Sequence, residues 1–152
     1  MVDLKKMTDS EFDVWNQQVW VAYRSELIRA GLSELEADEN IQHNKMTTMP
    51  EGRPIAGHYF FKVVHEDENV GSVWLNDQGP AWFIYDIEID QQHRGKGLGR
   101  ATLRAIEEFV RSNNGTQIQL SVFGFNEVAQ KLYLSEGFTT VRLSMSKNLN
   151  LA

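Results

Sequence analysis

The chain has no cysteine among its 152 residues. That excludes disulfides, a cysteine nucleophile, thiolate-held zinc and iron–sulfur clusters, and it suits a reducing compartment, so the expected location is cytoplasmic. Proline is scarce (Pro50, Pro54 and Pro80), and no linker, repeat or low-complexity tract interrupts the chain. Apolar runs fall far short of the ~18 residues that a spanning helix needs, so no membrane association is expected. The first residues, Met1 to Lys6, lack the apolar core of a signal peptide. Positive charge is in deficit: Lys plus Arg number 15 against 21 Asp plus Glu, a formal net charge of −6. Nucleic acid, bound largely through phosphate neutralisation, is therefore not an expected partner. His43, His58, His65 and His93 show no zinc-ligand spacing, and no metal is expected.

Apolar residues make up 41% and aromatics 11% of the chain, the composition of a packed globule. At this length one domain over residues 1–152 is expected. Residues 2–7 predict a short strand. Thr8-Asp9-Ser10-Glu11 is a capping box, and Phe12, Trp15, Val19, Tyr23 and Leu27 follow at helical spacing to Gly31. Ser33 to Glu36 repeats the signal for a second helix running to about Thr47. His58–His65, Val70–Leu75 and Trp82–Ile89 predict an antiparallel meander. Helical spacing returns from Leu98 to Val110. A strand over Gln117–Phe123, a short helix over Asn126–Ser135 and a strand over Phe138–Met145 complete the pattern. The expected fold is α/β (α+β), with a mixed, mostly antiparallel sheet of six to seven strands and about four helices.

The chemistry concentrates in Asp86-Ile87-Glu88-Ile89-Asp90-Gln91-Gln92-His93-Arg94-Gly95-Lys96-Gly97-Leu98-Gly99-Arg100. A strand enters a glycine-rich turn that opens an amphipathic helix, and free N–H groups with the positive end of the helix dipole make that turn an anion site. Gly95, Gly97 and Gly99 let backbone approach a phosphate closely. Arg94, Lys96, Arg100 and Arg104 give this stretch a charge opposite to the chain's net charge. The spacing is neither a Walker A loop nor the G-x-G-x-x-G dinucleotide fingerprint. Without a ligand, the turn also reads as simple strand-to-helix punctuation.

Gln92-His93-Arg94-Gly95-Lys96-Gly97 resembles the Q/R-x-x-G-x-G/A motif of the GNAT superfamily of acetyl-CoA-dependent N-acetyltransferases. Asn126 to Tyr133 with Gly137-Phe138 resembles that family's N-x-x-A-x-x-L-Y-x-x-x-G-F helix. The two motifs occur in order with a strand between them, and the resemblance covers residues 82–147; the earlier half carries no specific motif. It implies acetyl-CoA as co-substrate, with its pyrophosphate on the backbone amides of Arg94, Gly95, Lys96, Gly97, Leu98, Gly99 and Arg100. It also implies a pantetheine arm paired with the backbone of Ile87 and Ile89, a cofactor contact from Asn126, and Tyr133 near the thioester sulfur.

Each assignment has a plainer counterpart. Ile87 and Ile89 are core residues, Asn126 caps its helix, and Tyr133 is a half-buried aromatic on the same helical face. A phenol near pKa 10 donates a proton uphill by ~2 kcal/mol to a thiolate near 8.5, so hydrogen bonding to sulfur is the safer role for Tyr133. An alkylammonium near 10.4 is neutral in about one molecule in 2500 at pH 7, so a base is needed. Asp86 and Glu88 share one face of the strand and are the candidates, with Glu88 ahead because it is nearer the expected thioester. A bulge, usual in the family, decides which of them faces the cleft. Otherwise they are strand carboxylates paired with cations. His93 is expected to be solvated.

Without cysteine, no acyl-cysteine route is open, and direct attack in a ternary complex is expected, with a strand amide near Ile89 at the oxyanion. Trp15, Trp20 and Tyr23 belong to the core and its rim or line an acceptor pocket. Glu34, Glu36, Asp38 and Glu39 form a solvated face. The acceptor is a small amine, a protein lysine or an N-terminus, and relatives of this family often form homodimers. A non-catalytic acetyl-CoA-binding module and a plain interaction domain are the competing readings.

Overall fold

A computed structural model describes residues 1–150. In chain order the elements are β1 (Asp3–Lys6), α1 (Asp9–Arg29), α2 (Glu34–Thr48), β2 (His58–His65), β3 (Glu68–Asp77), β4 (Ala81–Ile89), a 3₁₀ turn (Gln91–His93), α3 (Leu98–Ser112), β5 (Gln117–Leu120) and α4 (Glu127–Ser135).

Both N-terminal helices start at reciprocal capping boxes. The Thr8 hydroxyl accepts the Glu11 N–H at 3.2 Å while Glu11 Oε1 accepts the Thr8 N–H at 2.9 Å, and Ser33 and Glu36 repeat the arrangement. Glu11 Oε2 also lies 2.7 Å from Lys62 Nζ on β2, so the cap ties α1 to the sheet. Lys62, with the Thr8 backbone, holds the Glu11 carboxyl down at about 2.

The strands lie in the order β1-β2-β3-β4-β5, antiparallel through β4 and parallel between β4 and β5. The parallel pair is joined by the α3 crossover, which two parallel strands require. One face of the sheet buries Val63, Val73, Leu75, Trp82 and Ile84 against Leu98, Leu103, Ile106 and Val110 of α3. The opposite face packs Phe60 and Trp74 against Phe12, Trp15, Val19 and Trp20 of α1. There the Trp15 and Trp74 rings meet edge to face at 5.6 Å.

The four helices and the mixed sheet match the expected class, but among the described residues the sheet has five strands rather than six or seven. The difference lies at the C-terminal end. Phe138–Met145 was expected to contribute a strand, yet it pairs with no other strand among the described residues, and residues 139–150 are exposed throughout. Alternation alone does not make a ladder: the segment leaves α4 without bonding to the open edge of β5.

Candidate active site

The site begins where β4 outruns its neighbour. The last β4–β5 pairing is Ile84 with Leu120, so β4 continues through Tyr85 to Ile89 with one edge open. The other edge stays bonded to β3, where the register shifts between Trp74 and Leu75. Trp74 pairs with Asp86 and Leu75 with Ile84, which leaves Tyr85 as the bulged residue. Past the bulge, Ile87 and Ile89 return to the α3 face of the sheet, while Asp86 and Glu88 point to the α1 face.

The main chain alternates in the same way. The Asp90 N–H donates to the Val70 carbonyl, and the Glu88 carbonyl lies against Gly71, so both are turned to β3. The main-chain groups of Ile87 and Ile89 therefore face the open edge. Gly71 is what permits this closeness, because a Cβ there would overlap the Glu88 carbonyl.

At the end of β4 the chain turns into α3. Gly97 is the N-cap at φ +77°, with no side-chain cap, and Gly95 is at φ +78°. The first helical bond is Ala101 N–H to Gly97 carbonyl, 3.1 Å, and among the described residues no protein acceptor meets the N–H groups from Gly95 to Arg100. Nothing lies within 4 Å in front of Gly95 or Gly97. The result is an exposed, positively polarised cradle.

The cations around it divide. Arg94 donates from Nε to the Ile89 carbonyl at 2.8 Å and pairs with Glu88. Arg100 and Arg104 both clamp Glu136 at the end of α4, at 2.6 and 3.1 Å. Of the four basic side chains in the segment, Lys96 alone has no carboxylate partner among the described residues. His93 is not solvated as expected: its side chain is 12% exposed, and Nε2 lies 3.0 Å from a Glu68 carboxylate oxygen.

A cleft of about 1680 Å³ runs from this turn along the α1 face. Asp86, Glu88, Arg94, Asn126 and Tyr133 all border it, and so do the main-chain-contributing Ile87 and the helix residues Trp15, Trp20 and Tyr23. Asn126 caps α4, its Oδ1 accepting the Ala129 N–H at 3.2 Å, which leaves the side-chain NH₂ uncommitted. Leu132 on α4 touches the helix start at Gly99, and this contact sets α4 beside α3 with Tyr133 facing the cleft.

Three residues in the cleft titrate abnormally. Burial, then Glu88 and Glu26, push the Asp86 carboxyl up to about 7. Burial, then Asp86 and Glu88, push the Tyr133 phenol up to about 12. Glu26 on α1 is raised by burial and by Glu88. Asp86 makes no hydrogen bond or ion pair with the described residues, whereas Glu88 is bound to Arg94 at the surface. The carboxylates thus differ: one is free and poised near neutrality, the other is engaged.

Glu26 and the aromatic walls Trp74, Tyr85 and Phe123 were not singled out from sequence. Glu26 falls on the α1 stripe that carries Trp15, Val19 and Tyr23, and a carboxylate within an apolar stripe is the signal that could have identified it. Tyr85 stacks on Trp74 at 4.5 Å because the bulge turns it to that face, which the sequence does not disclose.

Comparison with known proteins places this geometry among relatives. The profile of the acetyltransferase (GNAT) family matches residues 15–138. The uncharacterized N-acetyltransferase YdgE of Bacillus subtilis is 30% identical, with 96% of this chain aligned to 97% of that protein. The crystal structure of YycN from the same bacterium superposes with a TM-score of 0.89 at 28% identity, covering 98% of this chain and 99% of that one. AAC(6')-Iy in complex with the bisubstrate analogue CoA-S-monomethyl-acetylneamine shares the fold at 12% identity, with a TM-score of 0.60 over 99% of each chain.

Proposed function

Because this chain belongs to the GNAT family of acetyltransferases, we propose that it transfers the acetyl group of acetyl-CoA to a cationic primary amine by direct attack in a ternary complex. The observation that carries this reading is the open edge of β4, whose Ile87 and Ile89 main chain lies between an unpaired N–H cradle and the free carboxyl of Asp86.

The residues present fit the co-substrate. The cradle from Gly95 to Arg100 suits a pyrophosphate, with Lys96 free to add a charge. The edge at Ile87 and Ile89 suits an extended amide-bearing arm, which would pair there as an added strand. Asn126 offers its NH₂ from the far wall. An acetyl-CoA held in this way would find the Ile89 amide and the Tyr133 hydroxyl as hydrogen-bond donors for its thioester.

Asp86 is the better base on magnitude. Moving a proton from an alkylammonium near 10.4 to a carboxylate near 7 is uphill by ~3.4 units, or ~4.6 kcal/mol; to an ordinary aspartate near 3.9 it is ~9 kcal/mol. The unengaged Asp86 therefore takes precedence over Glu88, whose charge is spent on Arg94. For Tyr133 the same arithmetic excludes a full proton transfer as the useful step. A phenol at about 12 donates to a thiolate near 8.5 at a cost of ~5 kcal/mol, so Tyr133 serves as a neutral hydrogen-bond donor to the leaving sulfur.

Glu26 and Asp86 give the acceptor end of the cleft a negative field, and Tyr85, stacked on the buried Trp74, adds an aromatic wall to it. A positively charged amine suits both, whether small or borne on a lysine side chain. Thiol release from acetyl-CoA, followed across diamines, lysine peptides and neutral amides, tests the proposal. Turnover with the cationic primary amines is expected. Tight binding of acetyl-CoA with no turnover across the panel would replace it with a non-catalytic binding module.

A further inference from the structure

The cations that border the cleft are not equivalent. Lys62 is bound to Glu11 and Arg94 to Glu88, whereas the Arg29 side chain makes no ion pair or hydrogen bond with the described residues. Arg29 stands in the last turn of α1, where a basic residue commonly serves the helix dipole. Here it is also stacked: its guanidinium carbon lies 4.1 Å from the centre of the Phe125 ring, on the chain that leads from β5 to α4. Phe125 stacks in turn on Phe123 at 5.2 Å, and Phe123 meets Tyr23 of α1 at 6.1 Å. Stacking uses the face of the guanidinium and leaves its N–H edge free, the edge that grips a carboxylate in a fork. Glu127 borders the same cleft and forms no ion pair with it.

Glu26 precedes Arg29 by three residues, so the two side chains rise from one face of α1, a turn apart. Both border the cleft, and Asp86 faces it from β4. Of the acids along the cleft, Glu26 and Asp86 are the two that burial raises, and the side chain of neither has a hydrogen-bond partner among the described residues. The charge of Glu26 is felt at Asp86, and that of Arg29 at Glu26, so the three act on one space. Two carboxyls and one guanidinium without protein partners complement a molecule with two ammonium groups and one carboxylate. A plain diamine meets the repulsion of Arg29, and a monoamino acid leaves one of the two carboxyls unanswered.

We propose that the acceptor is a free diamino acid of the lysine or ornithine kind, its α-carboxylate on Arg29, its α-ammonium on Glu26 and its side-chain amine at Asp86. The inference deepens the acetyl-transfer reading and rests on it for the fate of that amine. The new N–C bond forms at the side-chain nitrogen as the C–S bond of the thioester breaks. Of the two protons the ammonium loses, one ends on the departing sulfur and the other passes through Asp86 to water. Arg29 and Glu26 are specificity residues in this account, since they hold the head group and leave the reacting atoms to Asp86 and Tyr133.

The test compares L-lysine with lysinamide, which keeps both amines and loses the carboxylate, and with cadaverine, which loses the head group. Thiol release by the full chain is expected to give lysine a kcat/KM at least tenfold above either, with the acetyl group on the side-chain nitrogen. Arg29→Gln should raise the KM of lysine at least tenfold and bring the preference over lysinamide to within twofold. Lysinamide or cadaverine used as well as lysine by the natural chain, an α-acetylated product, or a preference that survives Arg29→Gln overturns the proposal. Titration calorimetry of the same three compounds into the chain saturated with coenzyme A separates this inference from the reaction it rests on. Selective binding of lysine with no turnover keeps the head-group site and removes the transfer; equal binding of the three, or no heat from lysine, overturns the site whatever the turnover.

Discussion

Asp86 and Tyr133 show how one environment sets two roles. Both are pressed upward by burial and by the neighbouring carboxylates, which makes the acid a better base and the phenol a poorer acid. A rising limb with an apparent pKa near 7 is therefore expected in the pH profile of kcat/KM, and Asp86→Asn should abolish that limb and lower kcat by about 10²–10³-fold. The same substitution should stabilise the protein. A carboxyl that ionises near 4 when unfolded and at about 7 when folded holds extra protons in the native state. Its contribution is fully present below pH 4 and is lost as pH rises through 7. At pH 8 Asp86→Asn should thus raise unfolding stability by up to about 4 kcal/mol, read by denaturant titration, while making no gain at pH 4. Tyr133→Phe should lower kcat at least tenfold and leave the dissociation constant of acetyl-CoA unchanged; a loss within twofold would remove the hydroxyl from the chemistry.

At the scale of elements, the strand–turn–helix unit of β4 and α3 carries the candidate site. Gly97→Ala keeps the helix but puts a side chain at φ +77° in the open space before the cradle. It should weaken acetyl-CoA at least tenfold and lose about 1–2 kcal/mol of stability. Much of this unit was readable in advance. Capping boxes, the stripe of Leu98, Thr102, Ile106 and Val110, and the glycine spacing are local features, and local features survive into the fold. What the sequence withheld is relational. The pairing of Trp74 with Asp86, the diversion of Arg94 to Glu88, and the joint hold of Arg100 and Arg104 on Glu136 depend on which elements meet. The alternation of Val141, Leu143 and Met145 spelled a strand, but a strand exists only with its neighbour.

Across the whole molecule, charge is sorted rather than uniform. A net −6 chain sets a bare N–H cradle, with Lys96 free of any carboxylate among the described residues, next to Arg94 at the margin of the cleft, and lines the cleft itself with Glu26, Asp86 and Glu88. Cationic acceptors should therefore show a KM that rises with ionic strength, while neutral amines of the same size show none of that dependence. The central claim is that main-chain nitrogens between Gly95 and Arg100 hold a pyrophosphate, and titration calorimetry with coenzyme A beside pantetheine, which lacks that group, tests it most directly. The account predicts micromolar binding of coenzyme A and at least a 100-fold weaker grip on pantetheine; equal affinity for the two, or no heat from either, would contradict it.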